Sequence, residues 1–304
     1  MATLAELTAR DSFERSGSLV VPALSLPGRL KTEFAELESA IFGNGWDPMQ
    51  IDNDDIGGSR KKIEWATLNI GSETVQLSIK PQLGFGDSLR SIAVMDAAQF
   101  VLSDMGVNCV APLAAVRLLH REVASVKSSS VELSFYQNNV RALSRLSVSD
   151  MRPIMRPLAV LGSRLEDSGI VQMDFRPRNI AIRRNAIGKP SPSVEDLFVF
   201  DLEAALVSPT IVDKFGLKRL FEGTSGYLFS PENRHLAESA LYEINSMARG
   251  LLKMGLSEEV VFGEYLETFL DERERTEQPW KMSHRMFNRS DIKRIITPKL
   301  NESN

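Results

Sequence analysis

The feature that most constrains this chain is a change of texture along it. Near residue 62 the sequence reads as a sheet. Lys62 to Ile70 is followed by a Gly71-Ser72-Glu73-Thr74 turn and then by Val75 to Lys80, where Val75, Leu77 and Ile79 alternate with Gln76, Ser78 and Lys80. Period-two alternation predicts a hairpin with one buried face. After about Ser147 the period lengthens. Pro157 to Ser168, Ala237 to Met254 and Ser257 to Glu274 read as helices, interrupted by a short strand-like pair at Ile180 to Arg183 and Leu197 to Phe200. One helix, Asp87 to Met105 with Gly106 as its stop, belongs to the first half, as does a further strand at Val131 to Tyr136. The expectation is an α+β chain with a small strand-rich part and a mainly helical part.

Composition removes several function classes. The chain has 304 residues, 43 % hydrophobic and 25 % charged, enough to close a sizeable core. A formal charge of −4, from 36 Lys and Arg against 40 Asp and Glu, does not favour nucleic acid or an anionic membrane as partner. The single cysteine, Cys109, excludes an internal disulfide and any multi-cysteine metal site. No window approaches the ~20 apolar residues of a membrane span. A soluble protein of a reducing cytoplasm is expected, with a cysteine-poor secreted effector as the alternative. Asn44 to Arg60 and Gly188 to Ser193 are the most loop-like stretches, and Leu30 to Phe42 reads as an amphipathic helix.

The chemistry concentrates in one window, Leu165-Glu-Asp-Ser-Gly-Ile-Val-Gln-Met-Asp174-Phe-Arg-Pro-Arg-Asn179. A helix ends at Gly169, and the following loop presents an acid and then, five residues later, an amide. Phosphoryl transfer needs a carboxylate to orient an attacking hydroxyl, and a neutral oxygen five residues on can reach Mg²⁺ on the same side. Farther along, the apolar strand Leu197-Phe-Val-Phe ends in Asp201, a second metal ligand where a buried strand emerges. Taken singly, these are a loop acid, a turn former and a strand-end acid; their order and spacing set them apart.

At these residues the sequence resembles the protein-kinase superfamily, whose catalytic loop reads H-R-D-L-K-P-x-N and whose metal-binding strand ends in D-F-G. Here the loop is Gln172-Met173-Asp174-Phe175-Arg176-Pro177-Arg178-Asn179, and the strand ends in Asp201-Leu202-Glu203. Gly223-Thr-Ser-Gly-Tyr-Leu-Phe-Ser-Pro-Glu232 is similar to the G-T-P-x-Y-x-A-P-E segment, and Glu243 to Met254 to the D-I-x-S-L-G-x-x-L-x-x-M helix, with Glu for Asp. The likeness covers most of the chain after Gly57. It implies a small lobe from about 48 to 140 and a helical lobe from about 141 to 304, preceded by a partly helical extension over 1–47.

The same resemblance implies ATP and Mg²⁺ in the cleft and a Ser or Thr hydroxyl of a protein or peptide as acceptor. Asp174 would orient the acceptor, and Asn179 and Asp201 would hold Mg²⁺. Lys80 would grip the α- and β-phosphates, and Arg176, in place of the family's Lys, would steady the γ-phosphate. Gly57, Gly58 and Ser59 would lie over the phosphates, although two glycines stand where the family has G-x-G-x-x-G. At 3.6 residues per turn Leu89, Ile92, Asp96 and Phe100 share one stripe, and a carboxylate there needs a cation; Lys80 is its natural partner. Loss of the family's His and Arg to Gln172 and Met173 implies no need for an activating phosphate at Ser208, Thr210 or Thr224. His120, His235 and His284 serve no step. The basic stretch from Arg273 to Arg294 reads as a solvated helical face, with Arg275 or Arg285 as a partner for Glu232. A pseudokinase and a small-molecule kinase or AMP transferase on the same fold are the alternatives.

Overall fold

The computed structural model describes the backbone of 19–22, 48–49, 64–70, 73–82, 85–110, 114–120, 123–132, 139–202, 205–218, 234–275, 289–291 and 293–294, and the side chains of 89–110, 139–202, 205–218, 241–275, 289–291 and 293–294. The expected hairpin is present as β3 (Glu64–Ile70) and β4 (Glu73–Gln82), paired antiparallel from Glu64↔Ile79 to Ile70↔Glu73. It sits in a six-stranded antiparallel sheet of order β1-β6-β7-β4-β3-β2, completed by β1 (Leu19–Pro22), β2 (Pro48–Met49), β6 (Ala114–His120) and β7 (Val123–Glu132). Two features differ from expectation. Residues 19–22, read as part of an extension, form an edge strand against β6. Of the strand expected at 131–136, Val131 and Glu132 belong to β7 and 133–136 lie outside the described residues; the earlier part of β7, Val-Ala-Ser-Val-Lys-Ser-Ser-Ser, is too polar to read as a strand from pattern alone. Gly57, Gly58, Ser59, the helix read at Leu30 to Phe42, Glu203, Thr224 and Glu232 lie outside the described residues.

Helix α1 (Phe85–Asp104) ends as expected just before Gly106, which takes φ 66°. It packs on β6, β7 and β4 and also meets α2 (Met155–Ser168). Because it is enclosed from several sides, Ile92, Ala93, Val94, Met95, Ala97 and Ala98 are all buried, and the helix lacks the one-sided apolar stripe of a surface helix. The expected stripe is corrected at its end, since Phe100 is 43 % exposed. Its ring stacks on Phe215 at 5.8 Å between centroids. Cys109, one strand onward, is buried and donates to Gln99 Oε1 at 2.9 Å; burial pushes its thiol up to about 12, which leaves no reactive thiolate.

The sheet and helix lead into a helical body with two small sheets. A four-stranded sheet of order β5-β11-β10-β8 contains β5 (Asn108–Cys109), β8 (Val140–Ala142), β10 (Ile180–Arg183) and β11 (Leu197–Val199), and β9 (Ile170–Val171) pairs with β12 (Leu206–Val207). The 180–183 and 197–200 pair read from sequence is β10 against β11, in register Ile180↔Val199 to Ile182↔Leu197. Among the described residues that follow are the helices α3 (Pro209–Lys214), α4 (Arg234–Lys253) and α5 (Glu267–Arg275). Ser208, 4 % exposed, caps α3 by accepting from the Ile211 N–H, so its hydroxyl is a structural group. Among the described residues no helix is long and apolar enough to cross a membrane.

The carboxyl-terminal basic stretch is not uniformly solvated. Arg273, 3 % exposed, donates through Nε to both oxygens of Glu166 on α2 at 3.2 and 3.1 Å. Arg275 bonds Glu272 on its own helix at 3.1 Å. Arg289 reaches Asp271 at 2.8 Å and Glu274 at 3.1 Å as well as Glu267. Lys293 holds Glu267 at 2.6 Å, and that bond chiefly keeps the Glu267 carboxyl below the usual range. These cations fasten α5 instead of forming a free docking face.

Candidate active site

Strand β9 delivers the chain into the loop 172–179, and β10 takes it away. Gly169 makes the entry possible: it closes α2 with φ 74°, and a Cβ there would meet Ser208 Oγ at 3.0 Å. Within the loop, Phe175 is 1 % exposed and anchors in the main core, while Asp174 on one side and Arg176 on the other stay open. The apolar residue between two charges is thus the pin that holds the loop down.

Asp174 is tied on both oxygens. Arg176 Nε meets Oδ1 at 2.7 Å, and Arg178 Nη2 meets Oδ2 at 2.5 Å. Asn179 Nδ2 donates to the Asp174 backbone oxygen at 2.8 Å and to Oδ2 at 2.9 Å. The acid and amide chosen for their five-residue spacing are therefore in direct contact. With its NH₂ committed to Asp174, Asn179 keeps its side-chain oxygen for another use.

Asp201 is brought alongside by backbone bonds. The Phe200 N–H donates to the Asn179 oxygen at 2.9 Å, and Gln172 Nε2 donates to the Phe200 oxygen. Gln172 thus ties the loop to the strand end. Among the described residues only Met173 (φ 73°) and Asp201 (φ 62°) are non-glycine residues with left-handed backbone. Such conformations carry a cost of order 1–3 kcal/mol each and persist where the surroundings enforce them, commonly at functional sites. Met173 lies in the loop, and Asp201 follows Phe200, whose N–H bonds the loop's last residue, Asn179.

Oxygen donors from one carboxylate and one amide suit Mg²⁺, which takes hard oxygen ligands and few of them from protein when phosphates supply the rest. Asn179 and Asp201 fit that requirement by donor chemistry and adjacency. Of the remaining residues read from sequence, Asp96 is 2 % exposed and partnered, which excludes an exposed helix-edge acid. Lys80 lies on β4 opposite Ser128 of β7, with its side chain outside the described residues. Strand β5, which directly follows α1, runs parallel to β11, and the Val110 N–H donates to the Val199 oxygen at 3.0 Å, so the sheet-side helix is joined to the strand that carries Asp201.

Two supports under the loop come from α4. Glu243 is half-buried and accepts from the Gln172 N–H at 3.0 Å. Its other oxygen, Oε1, has no hydrogen-bond partner among the described residues. Burial dominates and pushes the carboxyl up to about 8, against the lowering effect of the Gln172, Phe175 and Met173 N–H groups and with Asp174 adding repulsion. An unfolded Glu titrates near 4.5, so between about pH 4.5 and 8 the folded chain keeps a proton that the unfolded chain releases. Stability relative to a Glu243→Gln variant is expected to fall as pH rises through that window and to level off above it. Urea midpoints of both proteins across the range check this, and a constant difference would contradict it.

The second support is Gly250, where a Cβ would stand 2.5 Å from Pro177 Cδ and 2.9 Å from Cγ. A proline ring on a pinned loop has no flexible end to move aside. Gly250→Ala should lose about 1–3 kcal/mol to overpacking, against roughly 1 kcal/mol gained in helix propensity. Displacing the loop by about 1 Å should lower turnover on the order of 10²-fold. Thermal unfolding and an activity assay on the same preparation would show both; intact activity would mean that the loop is not seated on α4. Neither Glu243 nor Gly250 stood out as functional in the sequence, though both lie in the helix segment that carried the resemblance.

No protein-family model matches this sequence, and no curated protein does. Among solved structures the chain is similar to WaaP in complex with acyl carrier protein, at 11 % identity and a TM-score of 0.47, over 93 % of this chain and 98 % of that one.

Proposed function

We propose that this chain is an ATP-dependent phosphotransferase of kinase-like build that moves the γ-phosphate of ATP to a Ser or Thr hydroxyl of a protein or peptide. The observation that supports this reading is that Asn179 bonds Asp174 directly while its backbone oxygen accepts from the N–H of Phe200, the residue before Asp201. The peptide acceptor rests on the resemblance of residues 223–232 to the segment that closes a protein-kinase activation loop.

In this reading Asp174 accepts a hydrogen bond from the acceptor hydroxyl and takes its proton as the oxygen attacks the γ-phosphorus. The new O–P bond forms as the bond from the γ-phosphorus to the bridging oxygen breaks. That electron pair leaves on the β-phosphate of ADP, and the proton passes from Asp174 to solvent. Arg176 supplies a fixed fork of donors for the γ-phosphate. Lys80, which this reading pairs with Asp96, is assigned the α- and β-phosphates, with Gly57, Gly58 and Ser59 over them. Asn179 and Asp201 would hold Mg²⁺, which would neutralise charge on the phosphates.

One observation favours a second reading, a nucleotide-binding module without turnover: both Asp174 oxygens are occupied by arginines. ATP labelled separately at the α- and γ-phosphates, incubated with the full chain, Mg²⁺ and a Ser/Thr peptide mixture, separates the outcomes. Label from the γ position on peptide is the expected result. Label from the α position would indicate AMP transfer, and retained nucleotide without either would indicate the binding module.

A further inference from the structure

We infer that Arg178 reads the acceptor, and that the peptide matched to this site carries an acidic side chain beside its Ser or Thr hydroxyl. The inference rests on the phosphotransferase reading and names the substrate class of that same site.

The loop places two guanidinium groups on a single carboxylate, an excess of one positive charge before any substrate arrives. The two arginines are not equivalent. Arg176 Nε has a second fixed partner, Ser246 Oγ on α4, at 3.0 Å. Arg178 has Asp174 alone among the described residues, through one nitrogen of its five-donor fork. Its side chain is 44 % exposed against 24 % for Asp174, so an arriving group meets the guanidinium as readily as the acid.

What the acid and Arg178 have left to offer then sets which acceptor is held best. Oδ2 already takes Arg178 and Asn179, and Oδ1 takes Arg176. One acceptor position is left, on Oδ1, and a neutral hydroxyl that takes it leaves the other donors of Arg178 unmatched. A carboxylate beside the hydroxyl can take the donors of Arg178 that Asp174 does not use, so the acceptor is held next to Asp174 by a charge-assisted bond of its own. A basic side chain in the same position meets excess positive charge and is rejected. The ordinary alternative is an exposed i, i+4 pair that contributes little and selects nothing.

The test uses the full chain, Mg²⁺, γ-labelled ATP and Ser peptides identical except for Glu, Gln or Lys beside the acceptor. Label on peptide and label released to water are counted in the same tubes. The Glu peptide should exceed the Gln peptide in kcat/KM roughly tenfold, the size of one charge-assisted bond, chiefly through KM, with the Lys peptide lower still. Arg178→Gln should erase the preference, and Arg178→Glu should invert it toward Lys, a reversal that a merely structural pair would not produce. Equal use of Glu and Lys peptides by the parent, or a Glu preference that survives Arg178→Glu, overturns the inference. Release of label to water with no peptide labelled overturns the acceptor assignment while leaving phosphotransfer standing. Neither release nor labelling removes both.

Discussion

Asp174→Asn is expected to lower γ-phosphate transfer by about 10²–10⁴-fold, the contribution of a positioned proton acceptor, while nucleotide affinity changes little. Asn matches Asp in shape, and its oxygen can still accept from Asn179. What it loses is the charge that draws the acceptor proton and balances Arg176 and Arg178. The fall should therefore appear in kcat, with the KM for ATP nearly constant, because Asp174 is assigned to the acceptor and not to the triphosphate. Steady-state kinetics on the γ-labelled nucleotide decide the matter. Undiminished transfer would mean that Asp174 is not the group that receives the proton.

The second large effect concerns stability. Arg273 and Glu166 are 3 % and 7 % exposed in their side chains, a desolvated pair joining α5 to α2 across the helical body. Removing one partner strands the other in a low-dielectric interior, so Arg273→Ala should cost about 3–5 kcal/mol. Replacing both by apolar residues of similar volume, Arg273→Met with Glu166→Leu, removes the two charges of this pair together and should recover most of that loss. Urea unfolding of the three proteins measures it. A loss below about 1 kcal/mol for Arg273→Ala, the range of exposed pairs, would mean that water reaches the bridge. The sequence reading paired Arg275 or Arg285 with Glu232, and Glu232 and Arg285 lie outside the described residues; the Arg273–Glu166 pair was not read, because nothing in local pattern shows that helical phase turns Arg273 inward.

The acid, the amide and the strand-end acid were readable because their chemistry is tied to short spacings and to a strand of continuous apolar residues. The hairpin and the later helices were readable for the same reason, since their periods are local. The edge strand at 19–22 was not, because it depends on pairing with β6, about a hundred residues away. The enclosure of α1 was not, because its burial comes from strands and a helix on several sides. The roles of Phe175, Glu243 and Gly250 as the seat of the loop arise only when α4 lies under it. Arg178 stood in plain view in the loop, and its meaning lay in which Asp174 oxygen it occupies.

In the proposed phosphotransferase, Asn179 and Asp201 would hold the divalent ion of a bound metal–nucleotide complex. Calorimetric titration of the full chain with a non-hydrolysable ATP analogue, with and without Mg²⁺, tests it for the parent and for Asp201→Ala. The parent should bind at least about tenfold more tightly with Mg²⁺, and Asp201→Ala should bind equally in both conditions while unfolding at a similar temperature. A Mg²⁺ dependence that persists in Asp201→Ala would contradict the assignment.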